Sequence, residues 1–168
     1  MSPRLWTLVT LCLLASGAPF AQSVGGLPAV DWFARDRSER TFAAAGLAPA
    51  EQQQIRRQVA ATSFDVPDSW AGELRVQRIA LGQTAGLIVR GTRLLCGGTG
   101  NCQTWIFRRE NRAWRSVIAG DAPIVSGLGL IQQNTAARDL VTTSNLSADE
   151  ERWTRYRFDG KVLSLIHI

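Results

Sequence analysis

Histidine is nearly absent from this chain. The 168 residues include one, His167, next to the last position. A Ser-His-Asp triad would have to take its base from there, a poor place for a positioned imidazole. One His and three Cys are too few for most structural zinc sites, so no metal is expected. Lysine is equally scarce: Lys161 is the only one, and there is a single Tyr and a single Met. With 45% hydrophobic and 20% charged residues, the chain is neither disordered nor a polytopic membrane protein. Its length suits one domain of ordinary size.

Arginine is abundant. It supplies all but one of the 19 basic residues, and the formal net charge is +5. Such a bias is expected of a GC-rich genome, so arginine enrichment is not in itself a binding signal.

Residues 1–21 read as a secretory signal peptide. Arg4 is the positive start, Leu5 to Leu14 the short apolar core, and the small residues up to Ala21 the cleavage region. The apolar run is too short for a stable anchor, so no transmembrane segment is expected after processing. Removal of Cys12 would leave two Cys, Cys96 and Cys102, and a periplasmic or secreted location would favour a disulfide between them. Asn145-Leu146-Ser147 matches a glycosylation sequon, a triplet that also arises often by chance.

The mature part reads as a flexible lead-in at 22–30 and one α+β domain at 31–168, helical over 31–62 and β-rich over 73–168. Short N-terminal helices would pack on a mostly antiparallel sheet of about six to eight strands. Asp31 can cap a short helix holding Trp32 and Phe33. A second helix is placed at about 49–61, with Pro49 at its start, Glu51 near its positive end, and Ile55 and Val59 on one face. Pro67 closes the helical region.

Short β-runs follow at 74–77, 86–90, 104–108, 114–118, 125–131, 140–143, 153–158 and 162–168. Gly127 and Gly129 mark 125–131 as an edge or bulged strand. Asp159-Gly160 is a hairpin signal. The units starting at Trp105 and Trp153 share a plan: a strand rich in Arg and aromatics, a polar turn, an apolar return. A duplicated three-stranded meander accounts for this, and so do two unrelated amphipathic hairpins.

The most informative stretch is Cys96-Gly97-Gly98-Thr99-Gly100-Asn101-Cys102. Its glycines and Asn allow the positive φ angles of a tight loop. The five-residue gap is not the two-residue spacing of dithiol oxidoreductases, so a structural bridge is expected. The loop lacks the Lys-Ser/Thr ending of a nucleotide site, and no haem attachment motif is present, so no cofactor is expected. Arg108, Arg109, Arg112 and Arg115 on one hairpin, with Arg152, Arg155 and Arg157 on the other, are a candidate strip for an anionic partner. They are equally readable as the solvated face of a half-buried sheet. Nucleic acid is not an expected partner, given export and modest charge. Trp105, Trp114 and Trp153 read most simply as core. No catalytic residue is assigned: Asp121, Asp139, Asp149, Glu150 and Glu151 fall in loops or turns. Asp149-Glu150-Glu151 reads as a solvated tip, and Asp139, after Arg138 at a strand start, as a local ion pair or a turn residue.

Residues 70–162 resemble a group of small exported bacterial proteins of uncharacterised role. The resemblance rests on the Cys96–Cys102 loop followed by Trp105-Ile106-Phe107-Arg108, on Ala137-Arg138-Asp139-Leu140, and on Tyr156-Arg157-Phe158-Asp159-Gly160. It implies a paired Cys and no activity. The expectation is an exported, non-enzymatic binding protein of the cell envelope, whose partner is another protein, as for an inhibitor, or an anionic envelope component. The alternative is a small envelope hydrolase using Asp139 and Asp121.

Overall fold

The computed structural model describes residues 30–33, 39–63, 72, 74–118, 123–131 and 139–166. The expected signal peptide, most of the lead-in, Pro67, Asp121, Arg138 and His167 lie outside the described residues.

Helix α1 spans Pro49–Ala61, where the sequence places it. Pro49 needs no hydrogen-bonded N–H at the first turn. The Glu51 carboxylate turns back to accept the Ala48 N–H at 2.9 Å, so one of the free donors at this end is satisfied. Ile55 and Val59 are fully buried on the face they share.

Among the described residues, ten strands form two antiparallel sheets. The first orders β2 (Leu74–Leu81), β3 (Thr84–Gly91), β4 (Cys102–Glu110) and β5 (Ala113–Ser116), with β6 (Ile124–Val125) also pairing with β4. The second orders β1 (Val30–Trp32), β7 (Gly127–Ile131), β8 (Leu140–Asn145), β9 (Glu151–Phe158) and β10 (Leu163–Ile166). Each expected Trp-led unit forms a three-stranded meander, β3-β4-β5 in one sheet and β8-β9-β10 in the other.

Three expectations need correction. The single sheet of about six to eight strands is, among the described residues, ten strands in two sheets. Residues 31–33 are not helical: Val30–Trp32 is a strand, antiparallel to β7. The Asp31 cap signal was local, whereas pairing with β7 satisfies the backbone and lays Trp32 across a glycine surface. A Cβ at Gly129 would stand 2.5 Å from Val30 and 3.1 Å from the Trp32 ring, so glycine is required there. The run 125–131 is not one edge or bulged strand either. It breaks at Ser126, with β6 beside β4 in the first sheet and β7 between β1 and β8 in the second.

Alternation explains the layers. Leu87 and Val89 of β3, Trp105 and Phe107 of β4 and Trp114 of β5 face α1 and join Ile55, Val59, Phe42 and Leu47 in one core. Ile88 and Ile106 point the other way and meet Leu128, Leu140, Phe158 and Leu163 of the second sheet. The continuous apolar run in β3 is therefore a strand buried on both faces. A third, smaller cluster, Val30, Ile131 and Val141, lies on the outer face of the second sheet under Trp32 and Trp153.

Helix α1 also closes an edge. Gln58 donates to the Trp114 carbonyl at 2.9 Å and accepts the Ser116 N–H at 3.1 Å, while Gln54 accepts the Trp114 N–H at 3.1 Å. These backbone groups of β5 point away from β4, and the two glutamines, four residues apart, replace the missing strand. Glu51 adds an ion pair with Arg109 and accepts the Trp114 indole N–H at 3.1 Å.

Gln58→Ala removes bonds to a half-buried edge and should lower unfolding free energy by about 1–2 kcal/mol in urea titrations. Hydrogen bonding from Arg109, then from the Ala48 N–H, holds the Glu51 carboxyl below its ordinary range. Its contribution to stability is complete above the ordinary carboxylate pKa and is lost as pH falls through the lowered folded value. The stability gap between wild type and Glu51→Gln should therefore narrow below about pH 4, which thermal melts across pH would register.

Candidate functional site

The two cysteines are joined, Cys96 to Cys102. They face each other as an isolated antiparallel bridge, and Gly97 donates to the Asn101 carbonyl at 2.7 Å inside it. Gly100 donates to the Gly97 carbonyl at 2.9 Å and takes a φ of +77°, the left-handed conformation its lack of a Cβ permits. The loop tip, Gly97 to Gly100, is exposed.

This loop is held at a second point. The Asn101 amide donates to the Asn145 carbonyl at 2.7 Å and accepts the Asn145 N–H at 2.9 Å. The Asn145 amide in turn donates to the Thr99 carbonyl at 2.9 Å. The expected sequon Asn is thus an anchor for the loop from the other sheet. Three large apolar side chains are exposed on segments joined to the anchored loop: Leu94 is 60% exposed, Ile124 45% and Leu146 42%. Leu94 belongs to the short 3-10 turn Arg93–Leu95 just before Cys96, and Leu146 follows Asn145. The strand carrying Ile124 pairs with the residues just after the loop, and its carbonyl accepts the Ser144 hydroxyl at 2.9 Å.

The seven candidate arginines have separate surroundings. Arg109 stacks on the Trp114 ring at 4.9 Å and pairs with Glu51 on the helix side of the first sheet. Arg108, one residue earlier, points to the opposite face. It pairs with Glu110 at 3.0 Å and donates to the Gly160 carbonyl at 3.0 Å, tying the two hairpins together. Arg155 donates through Nε and Nη2 to the same oxygen of buried Asp139, at 3.0 and 2.5 Å. Asp139 is thus held by a residue 16 positions away, on the next strand β9. Arg112, Arg115, Arg152 and Arg157 are exposed. Arg112 and Asn111 form the β4–β5 turn with φ of +69° and +45°. The hairpins are adjacent, but their arginines are divided among several faces.

Trp105 and Trp114 are core, each 2% exposed. The Trp105 indole N–H donates to the Thr62 hydroxyl at 2.9 Å. Trp153 differs: it is half-buried and meets Trp32 edge to face, centroids 5.2 Å apart. Trp32, Gly127, Thr143, Glu151 and Trp153 line an open groove of about 250 Å³. Asp149 and Glu150 sit in an exposed turn, as expected of a solvated tip.

Sequence reasoning identified the disulfide loop but not its setting. The Asn101–Asn145 clamp spans 44 residues, and neither Asn carries a local sign of the other. Exposure of Leu94, Ile124 and Leu146 is equally a matter of tertiary placement.

Replacing both cysteines, Cys96→Ser with Cys102→Ser, should cost about 2 kcal/mol in chemical denaturation, the loop-entropy value for so short a ring. Far-UV circular dichroism should be unchanged, since β4 is held along both edges. No protein-family model, no curated protein and no solved structure matches the chain.

Proposed function

We propose that this chain is an exported, non-enzymatic binding protein of the bacterial cell envelope, periplasmic or secreted, that engages another protein through its disulfide-bounded end. Its kinship would lie with the small exported proteins that share the Cys-bounded loop and Trp-x-Phe strand. One observation carries the reading: an exposed loop fixed at two points, with Leu94, Ile124 and Leu146 exposed on the segments that precede it, pair just after it and clamp it. A loop already ordered in the free protein loses little conformational freedom on binding, which favours affinity. Exposed apolar side chains grouped at one place are characteristic of an interaction surface. The tip carries nothing larger than Thr99, so it suits a narrow cleft in the partner, as an inhibitor-like loop would.

The hydrolase alternative has less support. The Asp139 carboxylate is buried and engaged by Arg155. Asp121 lies outside the described residues.

The test compares the oxidised protein with a Leu94→Asp, Leu146→Asp double variant as bait in envelope extracts. Both positions are exposed, so the variant should keep its melting temperature. Wild type should retain a partner in near-stoichiometric amount, and the variant should lose it at least tenfold. Equal retention by both, or none by wild type, would overturn the proposal.

A further inference from the structure

Outside the seven arginines singled out in the sequence, four others are gathered at the free side of β2. Arg40 and Arg78 line a cleft of about 310 Å³, and Arg56 and Arg75 line a second of about 180 Å³. The clefts lie on either side of one turn, residues 41–45. Ala44 and Ala45 border the first, Thr41 to Ala43 the second. Among the described residues, no acidic side chain lines either.

The turn is well fixed. Arg40 and Val76 exchange backbone hydrogen bonds at 2.9 and 2.8 Å, which carries the chain along β2. Phe42 and Leu47 are buried in the core beside α1, and Gly46 reverses the chain at a φ of +68°. Arg56, Arg75 and Arg78 are fixed as well. Arg78 donates through Nε and Nη2 to the Ala45 carbonyl, at 3.1 and 2.9 Å. Arg75 donates through Nη1 to the carbonyls of Gly72 and Leu74, at 3.0 and 3.1 Å. Arg56 lies over the Phe42 ring at 5.4 Å.

These contacts orient the guanidinium groups without neutralising them. Elsewhere the fold supplies carboxylates: Glu39 to Arg90, Glu110 to Arg108, Glu51 to Arg109 and Asp139 to Arg155. Among the described residues, no carboxylate pairs with Arg40, Arg56, Arg75 or Arg78. Four cations around two small clefts, with no carboxylate among the described residues paired to them, raise the local potential for anions. Guanidinium forks match the oxygens of a phosphate group, which can carry two charges within the space of one cleft.

We propose that the paired clefts flanking residues 41–45 are a phosphate-binding site, with Arg40 and Arg78 on one side and Arg56 and Arg75 on the other. The ligand chemistry is the phosphate group, whether free as a small phosphate or carried on a lipid headgroup. This site does not depend on the protein-binding reading of the disulfide end.

Isothermal titration with sodium pyrophosphate at low salt tests the proposal, alongside co-sedimentation with vesicles of phosphatidylglycerol or of phosphatidylcholine. Binding should weaken at least tenfold in Arg40→Gln, Arg78→Gln and in Arg56→Gln, Arg75→Gln. It should be unchanged in Arg112→Gln, Arg157→Gln, which removes two exposed arginines elsewhere, and in the Leu94→Asp, Leu146→Asp variant. The two cleft variants probe opposite sides of the turn, so loss of fold in one leaves the other informative. Pyrophosphate binding identifies a free phosphate as sufficient, and binding to phosphatidylglycerol vesicles alone identifies the headgroup. Absence of both overturns the site. So does an equal loss in the Arg112, Arg157 control, or equal binding of succinate, which would reduce the effect to general charge or to carboxylates.

Discussion

Strand β4 is the constraint on which the rest of the structure depends. It is paired along both edges: β3 runs beside one, while β6, the Pro123 carbonyl, the Val117 N–H and β5 successively occupy the other. It is also covered on both faces, by α1 below Trp105 and Phe107 and by the second sheet above Ile106. A strand so enclosed can leave no backbone group unpaired, because a buried unmet donor or acceptor costs about 1–3 kcal/mol. That requirement explains why β5 ends where it does and why β6 must come in beside the first residues of β4. It also positions the disulfide, which sits where β4 begins.

Among the described residues, backbone hydrogen bonds join the second sheet to this frame at two places. At one, the Leu163 N–H donates to the Val117 carbonyl at 2.7 Å, and Ile118 forms a parallel bridge with Leu163. At the other, the chain passes from β6 to β7 through Ser126, whose N–H donates to the Thr143 carbonyl at 2.7 Å. These links place Asn145 against the disulfide loop. The loop is therefore a feature of both sheets: one supplies the covalent closure and the other the amide clamp. The arginine clefts lie elsewhere, on the far edge of the first sheet beyond β3. The two surfaces can be altered independently, because no hydrogen bond or ion pair described here connects them.

The dispersal of the hairpin arginines has a simple cause. In a strand, neighbours point to opposite faces, so Arg108 and Arg109 cannot share a surface. Each instead finds its own carboxylate, and Arg155 of β9 finds Asp139 at the start of the adjacent strand β8 in its own sheet. An apparent cluster along the chain is divided by geometry: Arg108, Arg109 and Arg155 enter ion pairs, while Arg112, Arg115, Arg152 and Arg157 are exposed. The converse holds for Arg40, Arg56, Arg75 and Arg78, which come from a bridge residue, a helix and a strand. They are scattered in the sequence and grouped only by the turn at 41–45.

The sequence by itself determined the local elements whose signals are short-range. Pro49, Glu51, Ile55 and Val59 were sufficient to place α1, and Asp159-Gly160 to place the last hairpin, because caps, periodicity and turn residues act within a few positions. The alternation in β4 likewise separated Trp105 and Phe107 from their neighbours. It also paired Cys96 with Cys102, since no other cysteine would remain near the domain. Only the tertiary structure decided that Trp32 lies in a strand, that 125–131 serves two sheets, and that Gln54 and Gln58 complete the edge of β5. The same holds for which arginines stay unpaired. Each of these depends on a partner tens of residues away, and the free energy of a contact becomes available only once the chain has closed the intervening loop.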